Sequence, residues 1–144
     1  MIVMLVGIGV TLSALVIQGV AVAVGNEAVV ALLAKRLVGT DVWRNGAATL
    51  MLIMILLTGH LAQMAVWAIV YVAAGEFGTF ALAFYHSAVN YTTLGYGDLI
   101  MTPSWRMLGP LEAADGMLMF GVSTAIIFAL TLRLIQARFM DLKE

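Results

Sequence analysis

The 144-residue chain has no cysteine, two prolines and few charges: seven Lys+Arg against eight Asp+Glu, 10% of its residues. Without cysteine there is no disulfide framework, no thiolate metal site and no thiol nucleophile. A soluble domain carries roughly 25% charged residues to wet its surface, so this composition argues against a soluble enzyme. A formal net charge of −1 and a pI of about 6.1 leave no basic footprint for nucleic acid. Phosphate-binding signatures are missing too. There is no Walker loop, and neither Gly7-x-Gly9 nor Gly95-x-Gly97 is followed by the third glycine of a dinucleotide fingerprint. The first apolar run has no arginine series, so nothing supports voltage sensing. What the chain has instead is apolar length, with 63% hydrophobic residues and a mean hydropathy of +1.06. That combination predicts an all-α membrane protein with no enzymatic activity and no organic cofactor.

Charges delimit the candidate spans, because each one at mid-bilayer costs roughly 2.5–3.5 kcal/mol. Uncharged runs cover residues 1–26, 45–75, 77–97 and 116–132. At about 1.5 Å per residue the first two exceed the roughly 30 Å hydrocarbon thickness. After the first run, Asn26-Glu27 can cap a new helix that ends at the basic pair Lys35-Arg36, with Gly39 as a stop. Residues 27–44 therefore read as an interfacial helix and cytoplasmic linker; the alternative is that the first span continues. In the third run, residues 79–91 suit a short helix, but Thr92-Thr93-Leu94-Gly95-Tyr96-Gly97-Asp98 carries two glycines that make poor helix. About thirteen helical residues fall short of a span, which predicts a re-entrant segment.

Charge placement points the same way. Lys35, Arg36 and Arg44 precede the second run, and Arg133, Arg138 and Lys143 follow the fourth. Both clusters face the cytoplasm only if the third run dips and returns. Three crossings with a cytoplasmic C-terminus then put the N-terminus outside. The last span is expected to begin near Pro103 or Pro110, either of which suits a first helical turn, and to exit at Arg133. The eleven residues after Arg133 are too few for a sensor domain.

Non-helical backbone at membrane depth is tolerated only where it is buried in protein or lines a water-filled path. Gly95 and Gly97, two apart, accept positive φ without a Cβ penalty, so successive carbonyls can point to one side. Such a row of oxygens is a ligand set for a dehydrated hard cation, and the absence of carboxylates from residues 92–97 favours a weakly held monovalent one. One loop cannot surround an ion, whereas a closed symmetric homo-oligomer can.

The segment from Thr92 to Asp98 resembles the selectivity-filter signature of potassium channels. With His86-Ser87-Ala88-Val89-Asn90-Tyr91 before it and Leu108-Gly109-Pro110-Leu111-Glu112-Ala113 after it, the region 45–133 is similar to small bacterial ion-channel-family proteins that lack regulatory domains. The resemblance implies a homotetrameric potassium-channel pore fold, each subunit giving three transmembrane helices and one re-entrant pore helix with its filter loop. It also implies that K⁺ is held by the carbonyls of Thr93, Leu94, Gly95 and Tyr96 and by the Thr93 hydroxyl. Gly95 and Gly97 would supply the turns, and Tyr96 would face away from the axis into the pore-helix packing. Thr92 and Asp98 flank the filter as support. Four positions depart from the family pattern: Leu94 replaces a usual valine, Tyr85 and His86 stand where a tryptophan pair is frequent, and Val89 stands where some members carry a carboxylate. Filter support then falls to Tyr85 and His86. The run Gly116 to Ala125 resembles an inner helix with a hinge glycine at Gly116 and a second glycine, Gly121, five residues on. In that register Phe120, Thr124, Phe128 and Leu132 share a face. Thr124 would line the cavity, and Phe128 and Leu132 would form an apolar constriction that gates by dewetting; ordinary helix packing is the alternative.

His60, near the middle of the second run, and His86 are the candidate pH sensors. Against this stands plain packing, with His60 bonded to Gln63 or to a pore-helix hydroxyl. Glu112 and Asp115, three apart, share a helix face; they concentrate cations at the outer mouth, brace the filter from behind, or offset the helix dipole. Gly7, Gly9 and Ser13 are expected to allow close helix packing. The expected organisation is a transmembrane helix over 1–26, the interfacial element over 27–44, a pore domain over 45–138 and a short tail over 139–144. The expected function is passive K⁺ conduction across a bacterial cytoplasmic membrane. The alternatives are a non-selective cation channel and a non-conducting scaffold or regulatory subunit. Membrane lipids, K⁺ and further copies of the chain are the expected partners, with no nucleic acid and no small-molecule substrate other than cations.

Overall fold

The computed structural model describes residues 1–35, 38 and 41–141. Among them are four α-helices and no strand: α1 (Ile2–Ala34), α2 (Val42–Ala73), α3 (Phe80–Tyr91) and α4 (Leu108–Asp141). α1, α2 and the Leu108–Gln136 stretch of α4 are long and apolar enough to cross a membrane. The Val-rich sequence of α1 is helical as expected of an apolar segment in lipid, where a backbone must satisfy its own hydrogen bonds and weak helix propensity is overridden. α3, at 12 residues, rises only about 18 Å and is too short for that.

The helix ends follow local chemistry. Asp41 caps α2 by accepting from the Trp43 N–H at 2.9 Å. α2 stops in a Schellman motif at Gly75 (φ +76): the Gly75 N–H donates to the Val72 carbonyl and the Glu76 N–H to the Tyr71 carbonyl. Thr79 caps α3, its side chain accepting from the Leu82 N–H at 3.3 Å. α4 begins at Leu108, so Pro110 falls in its first turn, where a missing N–H costs nothing.

One expected boundary is corrected. α1 does not break at Asn26-Glu27 but continues to Ala34. Asn and Glu cost at most about 0.7 kcal/mol each in a helix interior, and a Cβ added at the preceding Gly25 would lie 2.5 Å from Leu52 Cδ1. Close packing holds the helix through a pair that local signals alone read as a start. Arg36 and Gly39, the expected last-turn cation and stop, lie outside the described residues. α4 is helical to Asp141, eight residues beyond Arg133.

The chain forms two compact units. The first holds Met1–Gln18 and His60–Phe120. Its core gathers Val10, Met64, Trp67, Ala68, Tyr71, Ala83, Tyr91, Met101, Leu108 and Met119. Gly7 serves this packing, since a Cβ there would meet Leu111 Cδ1 at 2.6 Å, whereas a Cβ added at Gly9 would meet open space in the single chain. The second unit holds Gly19–Gly59 and the chain from Gly121 onward. Its core is aliphatic: Ala21, Val29, Leu52, Leu56, Leu130 and Leu134.

Candidate functional site

The loop grows out of the C-terminal end of α3. Thr92 caps that end, its N–H and hydroxyl both donating to the Ala88 carbonyl at 3.1 and 2.7 Å. The next amides fold back on the same turn: Thr93 to the Asn90 carbonyl, and Leu94 and Gly95 both to that of Val89. Beyond this the backbone follows an alternating pattern, with positive φ at Thr93 (59°), Gly95 (64°) and Gly97 (71°). The two glycines do what their spacing suggested; Thr93 adds a third left-handed residue, one whose β-branch disfavours that conformation. Residues 92–98 are all exposed in the single chain, including Tyr96 at 68%.

The departures from the family pattern acquire partners. The Tyr85 hydroxyl donates to the Asp98 carboxylate at 2.7 Å, tying α3 to the end of the loop; accepting that proton, Asp98 pushes the Tyr85 phenol up. His86 is buried between the rings of Tyr71 and Phe77, at centroid distances of 5.3 and 4.7 Å. Its Nε2 lies 2.8 Å from the amide nitrogen of Asn90. An amide nitrogen only donates, so Nε2 accepts and the imidazole is neutral with its proton on Nδ1. Burial holds its pKa below the ordinary value, against opposing pulls from the Leu99 carbonyl and the Asp98 and Glu76 charges. Glu76 in turn accepts from the N–H and hydroxyl of Thr102 at 2.6 and 2.7 Å, pinning the segment that follows the loop.

Behind α3 lies a buried polar layer. Glu112 and Asp115 are 0% and 1% exposed, so neither lines an outer mouth in this chain. The Tyr71 hydroxyl donates to Glu112 Oε2 at 2.5 Å, Ser87 Oγ lies 2.5 Å from Glu112 Oε1, and the Trp67 indole N–H donates to Asp115 Oδ2 at 3.0 Å. The carboxylate that Val89 does not offer from α3 thus arrives from α4. A second chain of bonds joins His60 Nδ1 to the Tyr91 hydroxyl (3.0 Å), that hydroxyl to Gln63 Oε1 (2.7 Å), and Gln63 Nε2 to Gln18 Oε1 (2.8 Å). His60 therefore does meet a hydroxyl of the short helix. Sequence reading assigns no role to Gln18, Trp67, Tyr71, Ser87 or Tyr91. The available signal is the recurrence of Gln63, Trp67 and Tyr71 every four residues, a row of polar-tipped side chains on one face of an apolar helix.

Gly116 belongs to this unit as well. A Cβ added there would run into the Tyr91 carbonyl and ring; the glycine lets α4 approach the last residue of α3. Gly116→Ala is expected to lower stability by about 1–3 kcal/mol or more, the range for overpacking a tight contact, measured as a fall in Tm of the purified protein. The remaining inner-helix candidates belong to the second unit. Gly121 has open space around it, and Thr124, Phe128 and Leu132 are exposed. Among the described residues no cluster of three or more His, Cys, Asp or Glu is placed to hold a metal ion.

No curated protein and no solved structure matches the chain at a significant level. The family described as "Ion channel" matches residues 50–133, from the interior of α2 through α3 and the loop into the last third of α4. That is more than half of the sequence and contains every residue of the loop. The chain is a member of the ion channel family.

Proposed function

We propose that the protein is a potassium-selective channel in which four copies arrange their Thr92–Gly97 loops around one axis. The backbone of that loop carries the reading. Left-handed φ at residues 93, 95 and 97 is the pattern in which successive carbonyls face one side. Strain at Thr93, a residue ill suited to it, is the kind of outlier found at functional sites. The loop follows the C-terminal, electronegative end of α3, which favours a cation, and residues 92–97 contain no carboxylate that would hold a divalent ion. Its exposure in one chain is what a shared axis requires. In this reading α3 is a re-entrant pore helix, the C-terminus is cytoplasmic, and K⁺ sits on the carbonyls of Thr93, Leu94, Gly95 and Tyr96. The exposed face of Thr124, Phe128 and Leu132 lines the inner pathway.

The test is flux of K⁺ and of Na⁺ into liposomes holding the purified protein, across a pH series. K⁺ is expected to pass and Na⁺ to be excluded at neutral pH. Because His86 accepts from Asn90 as a neutral ring and its pKa is held below the ordinary value of about 6.5, flux is expected to fall only at more acid pH. Equal K⁺ and Na⁺ entry overturns selectivity, and a monomer or dimer that conducts nothing overturns the channel.

A further inference from the structure

α1 lies outside the residues that match the ion channel family, yet the first unit binds it through a polar contact. Gln18 is 3% exposed in a helix made almost wholly of apolar residues. A buried amide in such a setting persists only when its hydrogen bonds are met. Here the proton count has one direction. The Tyr91 hydroxyl spends its proton on Gln63 Oε1, so His60 Nδ1–H donates to the Tyr91 oxygen, and the amide nitrogen of Gln63 is left to donate to Gln18. Tyr91 is the last residue of α3 and is 0% exposed. It stands two positions after Val89, whose carbonyl receives the Leu94 and Gly95 amides, and its own carbonyl abuts Gly116. A shift of the Tyr91 ring is therefore a shift of the turn that sets the loop.

We infer that Gln18 is a positioning residue for the loop: α1 acts on conduction through Gln63 and Tyr91. The inference rests on the channel reading above. Gln18→Met keeps the length of the side chain and strands the Gln63 N–H. In planar bilayers it is expected to shift the ratio of open to closed time about tenfold towards closed, equivalent to about 1.4 kcal/mol, within the range for one stranded buried donor. Tyr91→Phe cuts the same chain on the far side of Gln63 without touching α1, and is expected to give a similar loss even if Gln18→Met fails to assemble. The double variant should be no worse than the more affected single one, since residues of one network are not additive. Val10→Ala is the control: it removes buried α1 packing in the same unit and should lower Tm while leaving the open-to-closed ratio at the wild-type level. A conducting wild type in which Gln18→Met shifts the ratio no more than Val10→Ala does, or in which the Gln18 and Tyr91 effects multiply, overturns the inference alone. A wild-type protein that passes no ion overturns the channel reading, and this inference with it.

Discussion

Gly95→Ala abolishes K⁺ flux in reconstituted liposomes while the protein still inserts and assembles: this is the largest functional effect expected of a single methyl group in this chain. Gly95 has φ +64, and the nearest atom to an added Cβ, the Thr93 carbonyl oxygen, is 3.9 Å away. There is room for the methyl group, so no neighbour is displaced. The penalty lies in the backbone, at about 1–2 kcal/mol for an L-residue in the left-handed region. The relaxation open to alanine is a return to negative φ, which turns a carbonyl of the proposed ion path away from its neighbours. In a ring of four, every loop carries the same fault. Full flux in Gly95→Ala would show that the ion path lies elsewhere.

Glu112→Ala produces the largest loss of stability. The side chain is fully buried and joins α4 to Tyr71 of α2 and Ser87 of α3. Truncation takes the acceptor from the buried Tyr71 hydroxyl at about 1–3 kcal/mol, leaves Ser87 with the Met64 carbonyl alone, and opens a void besides. Glu112→Gln separates the roles of shape and charge. Ser87 has one proton and faces two oxygens, the Met64 carbonyl at 2.9 Å and Glu112 Oε1; the count closes when Glu112 itself carries a proton towards Ser87. A glutamine supplies that donor permanently and still accepts from Tyr71. Thermal unfolding of purified protein is therefore expected to show Gln near wild type and Ala far below it. A glutamine variant as unstable as the alanine one would mean that Glu112 acts as a charge.

Much of this architecture is written locally. The long uncharged runs specify helices of crossing length, the short run before Gly95 specifies a helix that cannot cross, and Pro110 marks the start of α4. Gly95 and Gly97 take the positive φ that their spacing suggests. Other features were open to more than one reading. Gly116 and Gly9 look alike in sequence, as small residues inside apolar helices, yet a Cβ added at one would run into Tyr91 and at the other would meet open space in the single chain. Asn26-Glu27 has the form of a helix start and lies within a helix, because a packed Gly25 outweighs a weak capping preference. Glu112 and Asp115 could have faced water or protein, and helical spacing cannot distinguish the two.

The division has one physical cause. Crossing length, caps and left-handed turns depend on a residue and its immediate neighbours, so composition and order suffice to derive them. The partner of a buried polar group is a different kind of fact. Gln63 meets Gln18 across 45 positions, Tyr71 meets Glu112 across 41, and His60 meets Tyr91 across 31. Periodicity reveals which face of a helix must be covered, but the atom that covers it is chosen when helices distant in the chain pack together. In this protein those choices joined the first helix to the turn beneath the loop.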